Sequence, residues 1–431
     1  MADSDSPRGS EASLTESNET VDGDANESWK RRKLMKAGAV ASAGVLGAAA
    51  GCTSSPDSGG DGGSGDGGSG GDGGSGGDGG NGGDSSGSQE SRTTVRLLLA
   101  PTGFQGIIMD YLANDTEILS DYFSDEDLEV EVSRSWEGAA IFTSGGADFE
   151  TFGSLEAAKL AGERDIPLAV NANLAPQIMQ VVGEKGGPYD PANSGSPQAS
   201  MDRLAEQQDV FALGGWGGGT GIMMPMVVQE AFGYTFTDDE SSDFENIRTA
   251  EYSAVPPLVE NGDVAMGTSS PIHGASPFMA PAEYNDEEPT VTSLYGCGSI
   301  VADLEGFNAP QLNSWTCSQD YASQYPGSPR GIVRAFSDGL TWLYEDPIGR
   351  IEGDDEHLNQ LGLENMDQAQ YVLDWGINLS LDNELPVVYE DIELTDQFVE
   401  EDKNFLRTAQ DVGFLTEGWE ENLEYRQITA E

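Results

Sequence analysis

Short apolar runs alternate with amphipathic stretches along most of the chain. Residues 93–100 are rich in Val and Leu, a Pro-Thr-Gly break follows, and apolar residues then recur at helical spacing over 104–119. The same patterns predict further strands over 128–133, 147–152, 168–171, 181–182, 210–213 and 264–267, and helices over 136–142, 155–162, 221–232, 331–344, 367–379 and 394–413. Because strands and helices alternate, we expect an α/β fold in which mainly parallel sheets carry helices on both faces.

A cluster of basic residues precedes a short apolar run near the N-terminus. The basic cluster spans 30–36 and includes paired arginines, an Ala- and Gly-rich run spans 37–51, and Cys52 closes that run. The run is too short to cross a bilayer, which takes about 20 residues. These features are typical of a signal peptide over 1–51, and the paired arginines indicate export by the twin-arginine route. The Ala-Ala-Gly-Cys sequence ending at Cys52 resembles a lipid-attachment box. An amphipathic helix with an incidental cysteine is the alternative.

Residues 52–91 form the next segment, which is almost entirely Gly, Ser and Asp. Such a composition has no apolar residues with which to build a core, and it is typical of a flexible, solvated linker. A chain of this length has an r.m.s. reach of about 30–37 Å. We therefore expect a folded part that is tethered to a lipid at Cys52.

Acidic residues outnumber basic residues 76 to 20, which gives a formal net charge of −56. Such a charge repels itself in dilute buffer but is screened in molar salt, where the Debye length falls to about 3 Å. The charge is therefore typical of a protein from a high-salt organism. Binding to nucleic acid is excluded as a function class, because no basic face exists to meet phosphates.

Two cysteines, Cys297 and Cys317, remain once Cys52 is assigned to the lipid. In an oxidising compartment they could form a disulfide, which would contribute about 3 kcal/mol. Two buried free thiols are the alternative, and the sequence leaves both open.

Ligands of parallel α/β sheets bind where strands end, against the first turns of the following helices. A Gly-rich loop at 214–220 lets the backbone approach a ligand closely, although a plain connection is the alternative. Trp216 favours a site, because a large aromatic ring is poor turn chemistry. The residues at the strand ends are the predicted ligand contacts: Thr102, Gly103, Phe104, Ser154, Asn173, Trp216, Gly219, Thr220, Ser270 and His273.

Within this set, Phe104 and Trp216 are expected to cover the solute, while hydroxyls, amides and backbone N–H groups orient it. Ser154 is also expected to cap the helix over 155–162. His273 either hydrogen-bonds the ligand or is a structural histidine that pairs with a backbone carbonyl. No cofactor motif and no metal-binding cluster is found in the sequence.

Several segments resemble the substrate-binding proteins of ATP-binding-cassette (ABC) importers in the nitrate, sulfonate and taurine group. They are Ala-Pro-Thr-Gly at 100–103, Trp-Glu-Gly-Ala-Ala-Ile-Phe at 136–142, Ala-Asp-Phe-Glu-Thr-Phe-Gly-Ser-Leu-Glu at 147–156 and Asp-Val-Ala-Met-Gly at 263–267. The likeness extends over about 93–279. The N-terminal segment resembles that of a haloarchaeal twin-arginine lipoprotein.

The resemblance implies a two-lobed, periplasmic-binding-protein-like fold of type II that closes on a small solute. Lobe one would comprise 92–174 and a return with C-terminal helices over 274–431, and lobe two would comprise 175–273. The resemblance also implies a non-enzymatic protein on the outer face of the cytoplasmic membrane, lipid-anchored, which delivers its solute to a permease driven by a cytoplasmic ATPase.

The identity of the solute stays open at this point. Helix N-termini favour an anion such as nitrate, a sulfonate or taurine, yet no Arg or Lys lies in the candidate loops. A neutral solute, such as a pyrimidine-like precursor, is the alternative. Two other functions also stay open: an exported acidic hydrolase that uses a pair of carboxylates, and a ligand sensor for a membrane receptor.

Overall fold

The computed structural model describes residues 94–429, except 102, 217–218, 306–309, 382 and 384, and for 303–305 and 355 it describes the backbone only. The predicted signal segment, linker and lipidation at Cys52 lie outside the described residues, as does Thr102. The described residues belong to one compact unit, Ser86–Glu431. Within them, no helix combines the length and apolar character that a membrane crossing requires.

The strands form two sheets. Their bounds are β1 Thr94–Leu99, β2 Glu129–Arg134, β3 Phe149–Phe152, β4 Leu168–Pro176, β5 Gln180–Glu184, β6 Phe211–Leu213, β7 Ile247–Thr249, β8 Met266–Ser269, β9 Val291–Gly296, β10 Gln311–Ser318 and β11 Leu423–Tyr425. The first sheet has the order β11-β4-β10-β3-β1-β2, and the second has the order β7-β6-β8-β5-β9.

Helices follow most strands. They are α1 Phe104–Asp110, α2 Ile118–Ser124, α3 Gly138–Thr143, α4 Ser154–Glu163, α5 Pro191–Ser194, α6 Pro197–Gln207, α7 Gly219–Val227, α8 Val255–Glu260, α9 Ser276–Met279, α10 Ala282–Asn285, α11 Cys297–Glu305, α12 Gln319–Gln324, α13 Ser328–Glu345, α14 Pro347–Glu352, α15 Asp355–Gln360, α16 Met366–Gly376, α17 Asp396–Asp411 and α18 Trp419–Asn422. Two short 3₁₀ turns, Tyr252–Ala254 and Pro271–His273, end near the candidate site.

Strand direction agrees with the predicted fold class. In the first sheet β10 runs antiparallel to β3 and β4, and in the second sheet β5 runs antiparallel to β8 and β9. The other pairs, β1 with β2 and β3, β4 with β11, and β6 with β7 and β8, are parallel. The prediction of an α/β fold whose sheets are flanked by helices is therefore confirmed, and both sheets are mixed because β10 and β5 each run antiparallel to two neighbours.

The long helix predicted over 104–119 is interrupted. Helix α1 continues into a π-helical turn, Tyr111–Asp115, and Thr116 then has extended backbone angles before α2 begins. The Thr116 hydroxyl accepts a hydrogen bond from the N–H of Ile118 at 3.3 Å, which supports this break locally. Asn, Asp and Thr compete with the helix in this way by bonding to nearby backbone groups.

The chain passes between the two sheets at two places. It first crosses between β4 and β5, and it returns between β9 and β10. Strand β9 pairs with β5 in the second sheet, with Val291 opposite Glu184. Sheet membership therefore changes later than residue 274, where the sequence placed the return of the chain.

Buried apolar side chains cover both faces of each sheet. One cluster packs Leu97, Phe149 and Trp315 of the first sheet under helix α13. A second cluster contains Phe152 from the first sheet together with Phe211 and other residues from the second sheet. The two sheets therefore share apolar contacts in this conformation.

The two cysteines are free buried thiols, so the disulfide that the sequence left open is not formed. Cys297 begins α11, where its thiol lies 3.6 Å from the sulfur of Met224. Cys317 lies on β10 and accepts a hydrogen bond from the side-chain amide of Asn171 at 3.4 Å. The thiols belong to different buried clusters, which explains why they do not pair.

Candidate functional site

A small cavity lies where the ends of β3 and β10 approach the start of α7. Its volume is about 10 Å³, which is about the space that one water molecule needs. Its lining residues are Gly153, Leu155, Glu156, Gln177, Gly219, Met223, Pro310, Gln311, Leu312 and Phe405. They come from β10, from the start of α4, from α7, from the two crossings and from helix α17.

Neutral amides line the side of this cavity that is nearest the crossings. The side-chain amide of Gln311 donates to Oδ1 of Asn173 at 3.0 Å. The backbone N–H of Gln177 donates to the carbonyl of Pro310 at 2.7 Å, so the two crossings run side by side. Oε1 of Gln177 accepts the N–H of Met179 at 3.1 Å. These groups hold the crossings together through hydrogen bonds without any charged side chain.

Three aromatic rings meet beside the cavity. Trp136, in the loop between β2 and α3, is 50% exposed. Its ring lies 5.9 Å from that of Tyr252 and 6.4 Å from that of His273, and these last two rings are 5.6 Å apart. Trp136 lies in a loop that follows a strand of the first sheet. Tyr252 and His273 lie in the 3₁₀ turns that follow β7 and β8 of the second sheet. The Tyr252 ring also lies against Gly214, in the loop that leads into α7.

Two glutamates lie close to this group. Glu150 on β3 is 5% exposed, and its Oε2 has no hydrogen-bond partner among the described residues. A Cβ placed at Gly138 would lie 2.3 Å from Oε1 of Glu150, so the carboxyl sits against the start of α3, two residues after Trp136. Glu156 is half-buried on α4 and lines the cavity.

Burial makes both carboxyls hard to ionise. It raises the pKa of Glu150 to about 9, and the neighbouring carboxyl of Glu156 adds to the effect. Burial also raises the pKa of Glu156 to about 7. The charged form of a carboxyl is disfavoured in an apolar site unless a partner neutralises it. At neutral pH, Glu150 is therefore mostly protonated and Glu156 is close to half-ionised.

His273 is a neutral member of the site. Burial lowers its pKa to about 4, so the ring carries no charge at neutral pH. Its Nδ1 is hydrogen-bonded to the hydroxyl of Ser270 at 2.6 Å. The ring of His273 therefore pairs with a side-chain hydroxyl. A structural histidine was expected to pair with a backbone carbonyl instead.

The Gly-rich loop serves the protein's own packing. A Cβ at Gly214 would lie 1.9 Å from the Tyr252 ring, and a Cβ at Gly221 would lie 1.6 Å from the carbonyl oxygen of Gly215. Gly215 also has φ 139°, in the region that favours glycine. These glycines let Tyr252 lie on the loop and let the loop fold against the first turn of α7.

The other predicted contacts lie apart from the rings. Phe104 has no exposed surface and belongs to the core under the first sheet. The ring of Trp216 packs against Phe236 at 5.5 Å. The N–H of Gly103 donates to the carbonyl of Gln360 at 3.0 Å. Neither Phe104 nor Trp216 is therefore placed to cover a solute in this conformation.

Ser154 differs from its expected role as a helix cap. Gly153 occupies the N-cap position of α4, and no side chain caps the helix. The Ser154 hydroxyl instead donates to Oδ1 of Asp402 on α17 at 2.5 Å. The buried carboxylate of Asp402 is a stronger acceptor than a neutral group would be, which accounts for this choice of partner.

The structure brings together Gly219, Thr220, Ser270 and His273 from the predicted set, and it adds Trp136, Glu150, Glu156 and Tyr252. Glu150 had a signal in the sequence, because an acid interrupts the otherwise apolar and hydroxyl-bearing strand Phe-Glu-Thr-Phe. Trp136 lies in the connection between β2 and α3, and Phe104 is the first residue of the helix that follows β1. Tyr252 had no such signal.

No group of three or more His, Cys, Asp or Glu side chains in the described part of the chain is arranged to hold a metal ion.

The chain has the fold of the periplasmic binding proteins. The periplasmic aliphatic sulphonate binding protein SsuA from Escherichia coli matches at 12% identity, covering 76% of this chain and 96% of that one, with a TM-score of 0.51. The alkanesulfonate-binding protein SsuA from Xanthomonas axonopodis pv. citri, bound to MOPS, matches at 10% identity over 78% and 99%, with a TM-score of 0.52. The periplasmic nitrate-binding protein NrtA from Synechocystis matches at 12% identity over 77% and 86%, with a TM-score of 0.50.

These similarities establish the fold alone, because the sequence identities are low. No protein-family model matches the chain, and no curated protein matches it.

Proposed function

We propose that the chain is a solute-binding protein of an ABC importer and not an enzyme. The observation that carries this proposal is the meeting of Trp136, from the first sheet, with Tyr252 and His273, from the second sheet. A solute held between such groups is contacted from both sides, and its binding energy can draw the two sides together. The periplasmic-binding-protein fold supports the same function, as do the binding roles named for the similar structures.

Opening of the two sides is part of the proposed mechanism. The cavity of about 10 Å³ is too small for an organic solute. The two lobes that the sequence predicts would separate by rotation about the crossings. There the backbone N–H of Gln177 donates a hydrogen bond to the carbonyl of Pro310. The solute would enter the open cleft, and closure would shield it from water.

The rest of the proposal concerns location and partners. Export by the twin-arginine route and a lipid on Cys52 would hold the protein at the outer face of the membrane. The Gly-rich segment 52–91 would let it search for a permease within a short radius. The permease, with its cytoplasmic ATPase, would then take the solute inward.

The binding function is tested with the full chain in molar KCl. A thermal-shift screen against nitrate, sulfonates, amino acids, amines and pyrimidines is expected to find a solute that raises the unfolding temperature. That solute should also change tryptophan fluorescence, because Trp136 lies at the cleft. The fluorescence change should be lost in Trp136→Phe and kept in Trp342→Phe, since Trp342 stacks on Tyr111 at 4.0 Å on the other face of the first sheet.

Two results would count against this function. One is a screen in which no class of solute stabilises the protein. The other is a solute whose fluorescence change and affinity are the same in Trp136→Phe as in the unaltered protein. Hydrolysis of a glycoside by the purified protein would favour the exported-enzyme alternative instead.

The location is tested separately in cells. Replacement of both Arg31 and Arg32 by Lys should block export, and Cys52→Ala should release the exported protein from membranes. Membrane attachment that survives Cys52→Ala would contradict the lipid anchor. Neighbouring genes for a permease and an ATPase would favour transport over the sensor alternative.

A further inference from the structure

The charge of the cleft differs from what an anion-binding site requires. The described side chains that line the cavity are acidic or neutral, and none is basic. Arg134, the basic residue nearest to Trp136 in the sequence, forms an ion pair with Asp110 at 2.6 Å. His273 is neutral at neutral pH. A tightly bound sulfonate or nitrate would therefore find no positive charge among these groups.

Glu150 is a buried acid whose carboxyl is incompletely hydrogen-bonded. It is 5% exposed, and its Oε2 makes no hydrogen bond to any described residue. Burying a carboxyl without a partner is costly, whether the group is charged or neutral. Phe149, Thr151 and Phe152 around it on β3 show that the strand is otherwise built for packing. A purely structural role would be filled better by an apolar residue.

Glu156 lies close enough for its carboxyl to raise the pKa of Glu150. Burial raises the pKa of the Tyr252 hydroxyl, and the carboxyl of Glu156 adds to this effect. Glu150 lies against Gly138, two residues from Trp136, Glu156 lines the cavity, and the Trp136 ring lies 5.9 Å from that of Tyr252, so two carboxyls and two aromatic rings occupy neighbouring positions. A cation suits both kinds of group, because carboxylates attract it directly and aromatic rings attract it through their electron-rich faces.

We propose that the solute carries a cationic nitrogen with N–H donors, an ammonium or amidinium group, which Glu150 and Glu156 receive beside Trp136 and Tyr252. This inference rests on the proposed binding function and names the class of solute. It departs from the anionic solutes named for the similar structures. The two N–H donors of an amidinium would match two carboxyl groups better than a single charge would.

A pH dependence follows for the binding of such a solute. A cation favours the ionised carboxylates, so binding releases protons, and affinity should rise with pH as Glu156 and then Glu150 ionise. Their pKa values of about 7 and about 9 set this range. The pKa of His273 is about 4 and that of Tyr252 is raised by burial, so neither changes charge within the range. Asp402 on α17 has a pKa of about 6, so it is already ionised over most of this pH range.

Matched probes separate charge from shape. Acetamidinium, acetamide and acetate are nearly equal in shape and carry positive, no and negative charge, and benzamidinium, benzamide and benzoate add an aromatic ring to the same series. Binding to the full chain is measured by thermal shift and by tryptophan fluorescence in molar KCl between pH 6 and 9. We expect the cation of each series to bind more tightly than its neutral and anionic partners, and at least tenfold more tightly at pH 9 than at pH 6.

The variants are Glu150→Gln, Glu156→Gln and the control Glu137→Gln, which removes one exposed charge next to Trp136. Either cleft variant should weaken cation binding at least tenfold and flatten its pH dependence, whereas Glu137→Gln should leave both unchanged. Glutamine is nearly isosteric with the protonated acid, and the second cleft variant covers the case in which the first misfolds.

Tighter binding of acetate, benzoate, nitrate or ethanesulfonate than of the cations would overturn this inference and leave the proposed binding function intact. Cation binding that is equal in Glu156→Gln and in the unaltered protein would overturn it as well. Failure of every probe, together with failure of the wider solute screen, would overturn both the inference and the proposed function.

Discussion

The hydroxyl of Ser154, at the start of α4, donates a hydrogen bond to Oδ1 of Asp402 at 2.5 Å. The hydroxyl of Tyr425 on β11 donates to Oδ2 of the same carboxylate at 2.6 Å. Asp402 is buried on α17, and burial raises its pKa to about 6. One carboxylate therefore ties the C-terminal helix and the last strand to the helix that borders the cavity.

Removal of this carboxylate should destabilise the protein. Asp402→Ala would remove the acceptor of the Tyr425 hydroxyl and would leave the Ser154 hydroxyl with only its longer bond to Oε1 of Gln311, at 3.4 Å, at a cost of about 2–4 kcal/mol. Asp402→Asn keeps one side-chain oxygen and should cost less. Chemical unfolding in molar KCl at pH 7.5 measures both. Asp411→Ala, an exposed aspartate on the same helix, is the control and should change the unfolding free energy little. Equal effects of Asp402→Ala and Asp411→Ala would show that the buried contacts contribute nothing.

The buried acid Glu150 should lower stability as the pH rises. Its pKa is about 4.5 as an exposed group and about 9 in the folded protein. The folded state therefore binds the proton more tightly than the unfolded chain, and the unfolding free energy falls between these two values. Glu150→Gln removes the titration and should stabilise the ligand-free protein by up to about 3 kcal/mol at pH 7, since each pKa unit corresponds to about 1.4 kcal/mol.

The stabilisation of the folded protein by Glu150→Gln should shrink as the pH approaches 4.5, because the acid is then protonated in both the folded and the unfolded state. Unfolding curves from pH 5 to 9 measure this trend, and Glu137→Gln, at an exposed position, should show none of it. A Glu150→Gln protein that is less stable than the unaltered one at pH 9 would mean that the carboxylate has a stabilising partner in the folded state.

Much of the fold could be predicted from apolar periodicity, because strands such as β1 and β4 are largely buried and therefore mostly apolar. The break near Thr116 was missed, since it depends on a local hydrogen bond within an amphipathic stretch. The second-sheet strand β9 was missed too. Its sequence, Val-Thr-Ser-Leu-Tyr-Gly, alternates weakly, and its pairing with β5 is a long-range contact that periodicity does not encode.

The candidate site was harder to predict than the fold. Strand ends pointed to Gly219, Thr220 and Ser270, whose role in binding a solute stays a prediction. Among the large aromatic residues near strand ends, we selected Phe104 and Trp216 but not Trp136, whereas packing leaves Phe104 fully buried and Trp136 half exposed. Among the 76 acidic residues, the sequence marked Glu150 only as an acid within a strand, because only the fold shows that its Oε2 is buried without a hydrogen-bond partner.

Glycine at position 214 should be required by the Tyr252 ring. A Cβ there would lie 1.9 Å from that ring, so Gly214→Ala must displace the loop or the tyrosine. We expect a loss of about 1–3 kcal/mol in unfolding free energy, as is usual for overpacking. The matched control is Gly219→Ala in the same loop, where the nearest atom to the new Cβ is 3.9 Å away. That control should be neutral or slightly stabilising, because alanine favours the helix. Equal unfolding free energies of Gly214→Ala and Gly219→Ala would contradict the requirement for glycine at position 214.

Both thiols should be unreactive in the folded protein and free in the unfolded one. Burial raises the pKa values of Cys297 and Cys317 to about 12, so almost no reactive thiolate exists at pH 8. Iodoacetamide at pH 8 without reductant should therefore leave the peptides that carry these residues unmodified in molar KCl. In denaturant, still without reductant, both peptides should be alkylated, as mass spectrometry of a digest would show. If alkylation in denaturant required a reductant, the two cysteines would be disulfide-bonded and their positions in separate clusters would be wrong.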